Sequence, residues 1–116
     1  MEPKFNVWFE VDGKVAASRW RMRLLEAVAE QGSISAGAET MEVPYRVAWQ
    51  KIQEMEDRLG DKLIETQTGG PGGGGAQLTE AGRGYVEQFK VFGDRVDTAL
   101  AAIYREVFGD TPQSWA

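Results

Sequence analysis

The sequence contains neither histidine nor cysteine. Without cysteine there is no disulfide and no thiolate metal site. Without histidine the commonest general base and metal ligand is gone, so hydrolytic triads, zinc sites and a bound cofactor are not expected. No other residue set pairs a base with a nucleophile in a recognisable arrangement, and an enzyme is not expected either. No run of about 18 apolar residues is present to span a membrane. The first residues, MEPKFNVWFE, lack the basic-then-apolar order of a secretory signal. A cytoplasmic protein without a membrane partner is the expectation. Basic blocks are missing too: 18 acidic against 13 basic side chains give a net charge of −5, and residues 67–78 carry no charge. This balance argues against an indiscriminate nucleic-acid coat. Any phosphate contact must come from a few placed cations and from backbone amides.

What is present is organised around residues 32–59. The 116 residues suffice for one domain that buries about two-thirds of its unfolded surface. Ser33 or Ser35 can cap a short helix, since a serine hydroxyl accepts a bond from a first-turn N–H. Ala36, Gly37 and Ala38 are small enough to let that helix lie close against a neighbour. Glu42, Val43 and Pro44 end it and start another, because proline disfavours helix in the preceding residue yet suits a helix start. From there Ala48, Ile52, Met55 and Leu59 share one face at helical spacing. The opposite face carries Arg46, Gln50, Gln53 and Asp57, with Tyr45 and Trp49 on its shoulder. Long hydrogen-bonding side chains on the outer face of a second helix are what reading base edges requires. A solvated helix in an ordinary helical hairpin has the same pattern, and this segment by itself leaves both readings open.

Residues 4–11 alternate, with Phe5, Val7, Phe9 and Val11 on one face and Trp8 on the other. Asp12 and Gly13 then predict a two-residue hairpin turn into residues 14–17. Such a hairpin is marginal alone and must pack on the helices or pair with another chain. Ser18 can cap a helix that Gly32 stops. Arg19, Arg21 and Arg23 crowd its first turns, where cations oppose the helix dipole, and they read as a solvated face.

After residue 60, two short strands, 62–66 and 76–78, flank Thr68, Gly69, Gly70, Pro71, Gly72, Gly73, Gly74 and Gly75. A nucleotide P-loop is rejected, because Ala76 and Gln77 follow instead of Lys and Ser or Thr. A flexible linker fits the composition, but not two strand-like runs set so closely. A loop whose bare backbone approaches a phosphate or groove is the third reading. Thr79 can cap a last helix in which Tyr85, Phe89, Phe92, Val96, Ala99, Ile103 and Val107 form an a/d seam, broadened by Leu100 and Tyr104. So long a stripe exceeds what a small core covers and predicts packing against a second copy.

Three sets of residues carry a family resemblance. They are Gly32, Ser33, Ile34, Ser35 and Ala36; Tyr45, Arg46, Ala48 and Trp49; and the glycine loop running into Leu78 and Thr79. Together they resemble the N-terminal domain of the ModE family of molybdate-responsive regulators. Arg58, Leu59, Gly60 and Leu63, with Leu78, Thr79, Ala81 and Gly82, are similar to the broader LysR-type group. The resemblance spans about residues 5–108. It implies a mainly α fold with small β hairpins, a winged helix-turn-helix followed by a long dimerisation helix. Residues 1–79 would form the DNA-binding domain, with hairpin 4–17, helix-turn-helix 33–59 and wing 62–79. Residues 80–108 would form the dimerisation helix and 109–116 a tail.

By resemblance, the chain is a transcriptional regulator that binds double-stranded operator DNA as a homodimer. Ser33, Ser35, Tyr45, Arg46, Trp49, Gln50 and Gln53 would meet the major groove or its rim. Thr68, Gly69, Gly70, Gly72, Gly73 and Gly74 would lie along the backbone or minor groove. Tyr85, Phe89, Phe92, Val96, Leu100, Ile103 and Val107 would form the dimer seam. The sequence departs from the family at Pro44, where a serine is usual, leaving the second helix without a side-chain cap. At Thr66 and Pro71 it lacks cations the family often has. The family's oxyanion sensor lies beyond the long helix, so a single-domain form is expected. Molybdate is not expected to bind, since Pro71 removes an amide and no cation lies near the loop. Two other classes stay in view: a winged-helix module that binds protein through Trp8, Trp49 or the C-terminal seam, and a small oxyanion-binding protein.

Overall fold

The computed structural model describes residues 1–67 and 75–109. Thr68, Gly69, Gly70, Pro71, Gly72, Gly73 and Gly74, and residues 110–116 of the tail expected over 109–116, lie outside the described residues.

Local chemistry sets the first elements. Strands β1 (Trp8–Val11) and β2 (Lys14–Ser18) pair antiparallel, with Val11 opposite Lys14. Asp12 and Gly13 both take positive φ, 51° and 78°, as the two-residue turn demands. The register shifts between Phe9 and Glu10, so Phe9 faces Ala17 while Glu10 faces Val15. That bulge breaks the alternation, and Ala16 and Ala17 are both buried. Pairing begins at Trp8, later than the expected residue 4. Phe5 and Val7 instead line a crevice with Phe89, Phe92 and Val96.

Helix α1 (Arg19–Gln31) is capped by Ser18, whose hydroxyl accepts the Arg21 N–H, and it ends at left-handed Gly32. Helix α2 (Ile34–Thr40) is capped by Ser33. The turn out of α2 uses Glu42 at φ 58°. There the Glu42 N–H bonds the Glu39 carbonyl and the Val43 N–H bonds that of Ala38. This is the Schellman closure, with glutamate where glycine is usual. Helix α3 (Tyr45–Leu59) follows. Strands β3 (Ile64–Gln67) and β4 (Gly75–Leu78) form a second antiparallel pair, one residue or two offset from the expected bounds. Helix α4 (Glu80–Phe108) is capped by Thr79.

The core gathers one face of each helix: Leu24, Leu25 and Val28 from α1, Ile34 and Ala38 from α2, and Ala48, Ile52 and Met55 from α3. Leu63 and Ile64 complete it. Tyr85, Val86 and Phe89 of α4 pack on its edge. The α1–α2 crossing is close because Gly37 has no side chain. A Cβ there would stand 2.7 Å from Val28 Cγ2 and 2.8 Å from the Val28 backbone. Gly82 is likewise pressed on the Leu63 carbonyl, whereas Gly84 and Gly93 face open space. The β4 strand is tied to the α1–α2 turn by the Ala76 N–H, which bonds the Gly32 carbonyl at 2.8 Å. Among the described residues, no helix is long and apolar enough to cross a membrane.

These contacts separate two glycines that both lie inside helices, Gly37 in α2 and Gly84 in α4. Gly37→Ala is expected to destabilise by roughly 1–3 kcal/mol, because the α1 backbone cannot give way. Gly84→Ala is expected to stabilise by up to about 1 kcal/mol through helix propensity alone. Urea midpoints at unchanged slope measure both. Equal shifts of the same sign would refute the close crossing.

Candidate nucleic-acid interface

Helix α3 presents two kinds of surface. Ala48, Ile52 and Met55 are buried, while Tyr45 and Trp49 are 53% and 47% exposed. Arg46 and Gln50 are also exposed. An aromatic pair is thus left open beside a cation, on a helix whose other face is packed. Pro44 stands before the helix in extended conformation and provides no side-chain cap, as expected. Its carbonyl takes the Val47 and Ala48 N–H groups at 3.0 and 3.2 Å. Helix geometry leaves the N–H groups of Tyr45 and Arg46 without an intrahelical acceptor.

Of the other candidate residues, Ser33, Ser35, Gln50 and Gln53 are among the described ones. Ser33 spends its hydroxyl on the Ala36 N–H at 3.0 Å, so of the two serines it is the cap, and Ser35 stays exposed. Gln50 Nε2 donates to Glu54 and half-buried Gln53 Nε2 donates to Glu56, each at 3.4 Å. Bonds that long are weak and exchange readily for better acceptors. Across the turn, Gly32, Glu65, Gln67, Gly75, Ala76 and Gln77 line a shallow cavity of about 150 Å³ at the base of the wing.

Two glutamates, neither singled out by the sequence pattern, fix how α3 is presented. On one flank Glu54 Oε2 meets Arg21 Nη2 at 3.0 Å, Arg58 Nη1 at 3.5 Å and Lys51 Nζ at 3.7 Å. Arg21 also donates to the Lys51 carbonyl at 3.3 Å, and Arg58 to the Val15 carbonyl at 2.6 Å. Arg21 is therefore only 8% exposed. This corrects its reading as part of a solvated face: the Glu54 carboxylate, not the helix dipole, decides its place. Burial acts to raise the Glu54 carboxyl, but the Arg21 hydrogen bond and the charges of Lys51, Arg21 and Arg58 outweigh it and hold it below its ordinary value. On the other flank, Glu56 Oε2 accepts the N–H groups of Leu63 at 2.8 Å and Ile64 at 3.3 Å. That ties α3 to the first strand of the wing. Glu54 had a weak sequence signal, cations three residues before and four after it. Glu56 had none for its tie to the wing, since its partners there are backbone N–H groups.

Three helices and a two-stranded wing, with the third helix presented in this way, define a winged helix-turn-helix domain. Its relatives are specific. The chain belongs to the lysR family of bacterial regulatory helix-turn-helix proteins, whose model matches residues 20–83. It is 35% identical over 91 residues to the molybdenum transport protein ModE of Azotobacter vinelandii, covering 78% of this chain and 34% of that one. It is 36% identical over 89 residues to the DNA-binding transcriptional dual regulator ModE of Escherichia coli K12, covering 77% and 34%. The chain thus spans about a third of the length of these curated relatives. Among solved structures, the CbnR_DBD–DNA complex superposes with a TM-score of 0.52 at 28% identity, over 72% of this chain and 94% of that one.

The Glu54 cluster has a pH signature. A carboxyl whose folded pKa is depressed contributes stability that is full above its unfolded value, near 4.3, and is lost as pH falls through the lower folded value. Glu54→Gln keeps the shape and loses the charge. It is expected to cost roughly 1–3 kcal/mol at pH 7, since Arg21 loses a charged acceptor. The gap to wild type should close as the pH falls below about 4. Denaturant titrations at pH 7, 5, 4 and 3 measure it, and a pH-independent gap would contradict the assignment.

Proposed function

We propose that this chain is a transcriptional regulator that binds operator DNA as a homodimer, inserting the start of α3 into the major groove. The observation that carries the reading is the exposed set of Tyr45, Arg46, Trp49 and Gln50 on a helix whose remaining sides are packed or tethered. Membership of a regulatory helix-turn-helix family and the likeness to a domain solved with DNA support it. In this reading Arg46 bonds a guanine edge, Tyr45 and Trp49 brace it, and Gln50 and Gln53 exchange their long internal bonds for base or phosphate contacts. Ser33 and Ser35 stand at the groove's rim. The loop residues Thr68, Gly69, Gly70, Gly72, Gly73 and Gly74 follow the backbone. With a net charge of −5, affinity rests on these close contacts rather than on long-range attraction. Molybdate has no part in it, because residues 67–78 offer an oxyanion no cation.

Anisotropy titrations on an operator selected from random genomic fragments test the groove assignment. Arg46→Ala is expected to lose roughly 1–3 kcal/mol of preference at one position per half-site, with the salt slope nearly unchanged. A uniform loss with a shallower slope would make Arg46 a phosphate ligand instead. Equal affinity and equal preference in the two proteins would overturn the assignment, and retention of no DNA at all would favour a protein-binding module.

The dimer would use the distal part of α4. Ile103 and Val107 are 55% and 67% exposed, and they continue the stripe of Val96 and Leu100. Tyr85 and Phe89 already serve the chain's own fold. The Tyr85 hydroxyl donates to Asp61 at 2.9 Å, a bond that, with burial, raises its pKa. Ile103→Glu would bury an unpaired charge twice per dimer, costing several kcal/mol. Light scattering at micromolar concentration should read dimer for wild type and folded monomer for Ile103→Glu. A monomeric wild type would remove the dimer.

A further inference from the structure

We infer that Phe9 is a positioning residue that sets the angle of α4 against the helix-turn-helix, and through it the half-site spacing that the dimer accepts. The inference rests on the dimeric DNA-binding reading and adds to it a residue outside the matched family region, residues 20–83.

The attachment of α4 comes in two stages. Its first turns are pinned on the β3 side. The Thr79 hydroxyl donates to the Lys62 carbonyl at 2.6 Å, Gly82 presses on Leu63, and Tyr85 reaches Asp61. These contacts all lie within about one and a half turns of helix, and a short footing resists tilting poorly. Val86 and Phe89 then pack on the edge of the core beside α1, and past them the contact comes from the N-terminal hairpin. The Phe9 ring meets Phe89 edge-on at 5.2 Å and Phe92 edge-on at 5.1 Å, a T-shaped geometry with both. The bulge at Phe9 and Glu10 gives the local twist that aims this ring, a known use of bulges. Phe5 and Val7 extend the same contact beside Val96. The hairpin is in turn fastened to α3, since Arg58 holds the Val15 carbonyl. The orientation of α4 is thus referred, through Phe9, β1, β2 and Arg58, to the helix that carries Arg46.

A lever follows from the length of α4. From Phe92 to Phe108 the helix runs about 24 Å at 1.5 Å per residue. A tilt of about 15° at Phe92 therefore moves the distal end by about 6 Å, close to two base-pair steps of DNA, whose turn of 34–36 Å holds about ten. Because the proposed seam lies on this distal part, the tilt would be read as spacing between the two copies of α3. Removal of the ring leaves the residues of the groove surface untouched.

The test is a selection on paired half-sites whose spacer varies base pair by base pair, with wild type, Phe9→Ala and Phe9→Tyr. Wild type should prefer one spacer. Phe9→Ala should keep the same half-site sequence while its spacer preference shifts by about one or two base pairs or spreads over that range, and Phe9→Tyr should restore the wild-type preference. A second measurement needs no DNA. The absence of cysteine allows spin labels at the two sites of a Glu30→Cys, Glu106→Cys variant, with labelled chains diluted into unlabelled ones. The intrachain distance should broaden or shift in Phe9→Ala. Where Phe9→Ala does not fold, Phe9→Leu, which keeps apolar bulk but loses the edge-on ring contacts, takes its place in both measurements. An unpaired motif selected by wild type overturns the dimeric reading, and the spacing inference with it. A paired motif with wild-type spacing in the folded variant, or an unchanged label distance, overturns this inference alone.

Discussion

Glu54 sits where α1, α3 and the N-terminal hairpin converge, and its charge makes that convergence possible. Three cations surround one carboxylate: Arg21 from α1, and Lys51 and Arg58 from α3 itself. Arg21 could not remain buried without an anion, because an unpaired guanidinium out of water is costly. Arg58 could not reach the Val15 carbonyl if its stem were not held along the same flank. Apolar packing supplies the bulk of the attraction between the helices. The ion cluster instead fixes how far α3 is rolled about its own axis, and that roll decides which side chains face outward.

The second glutamate completes the constraint from the opposite side. By accepting two backbone N–H groups at the start of β3, Glu56 joins α3 to the wing. The Gly32 carbonyl does the same for β4, from the turn before α2. Helix α3 and strands β3 and β4 are therefore held to one another beside an exposed set of aromatic, amide and cationic side chains. On the proposed reading, a surface that meets a regular duplex gains from such preorganisation, since little ordering is left to pay for on binding. The acidic balance of the chain makes this more important, because long-range attraction to phosphate is weak.

Much of the local structure was legible in the chain. Ser18, Ser33 and Thr79 cap the helices they were expected to cap, Asp12 and Gly13 make the hairpin turn, and Gly32 stops α1 in the left-handed region. The missing cap at Pro44 was legible as well. The outward residues of α3 followed from helical period alone. Less legible were the length of β1, cut short where Phe5 and Val7 turn to α4, and the place of Arg21. A periodic pattern assigns a face to a residue, but it does not say whether that face meets water or a carboxylate from another helix.

The sequence by itself determined the elements, their caps and turns, and the membership of a winged helix-turn-helix family, because each depends on residues within a few positions of one another. Only the tertiary structure decided that Arg21 pairs with Glu54 across 33 residues, that Glu56 serves the backbone of β3, and that Phe9 stands edge-on to Phe89 and Phe92. Such partners are distant along the chain and share no spacing. Their match comes into being when packing of the apolar faces brings them within hydrogen-bond and ring-contact range.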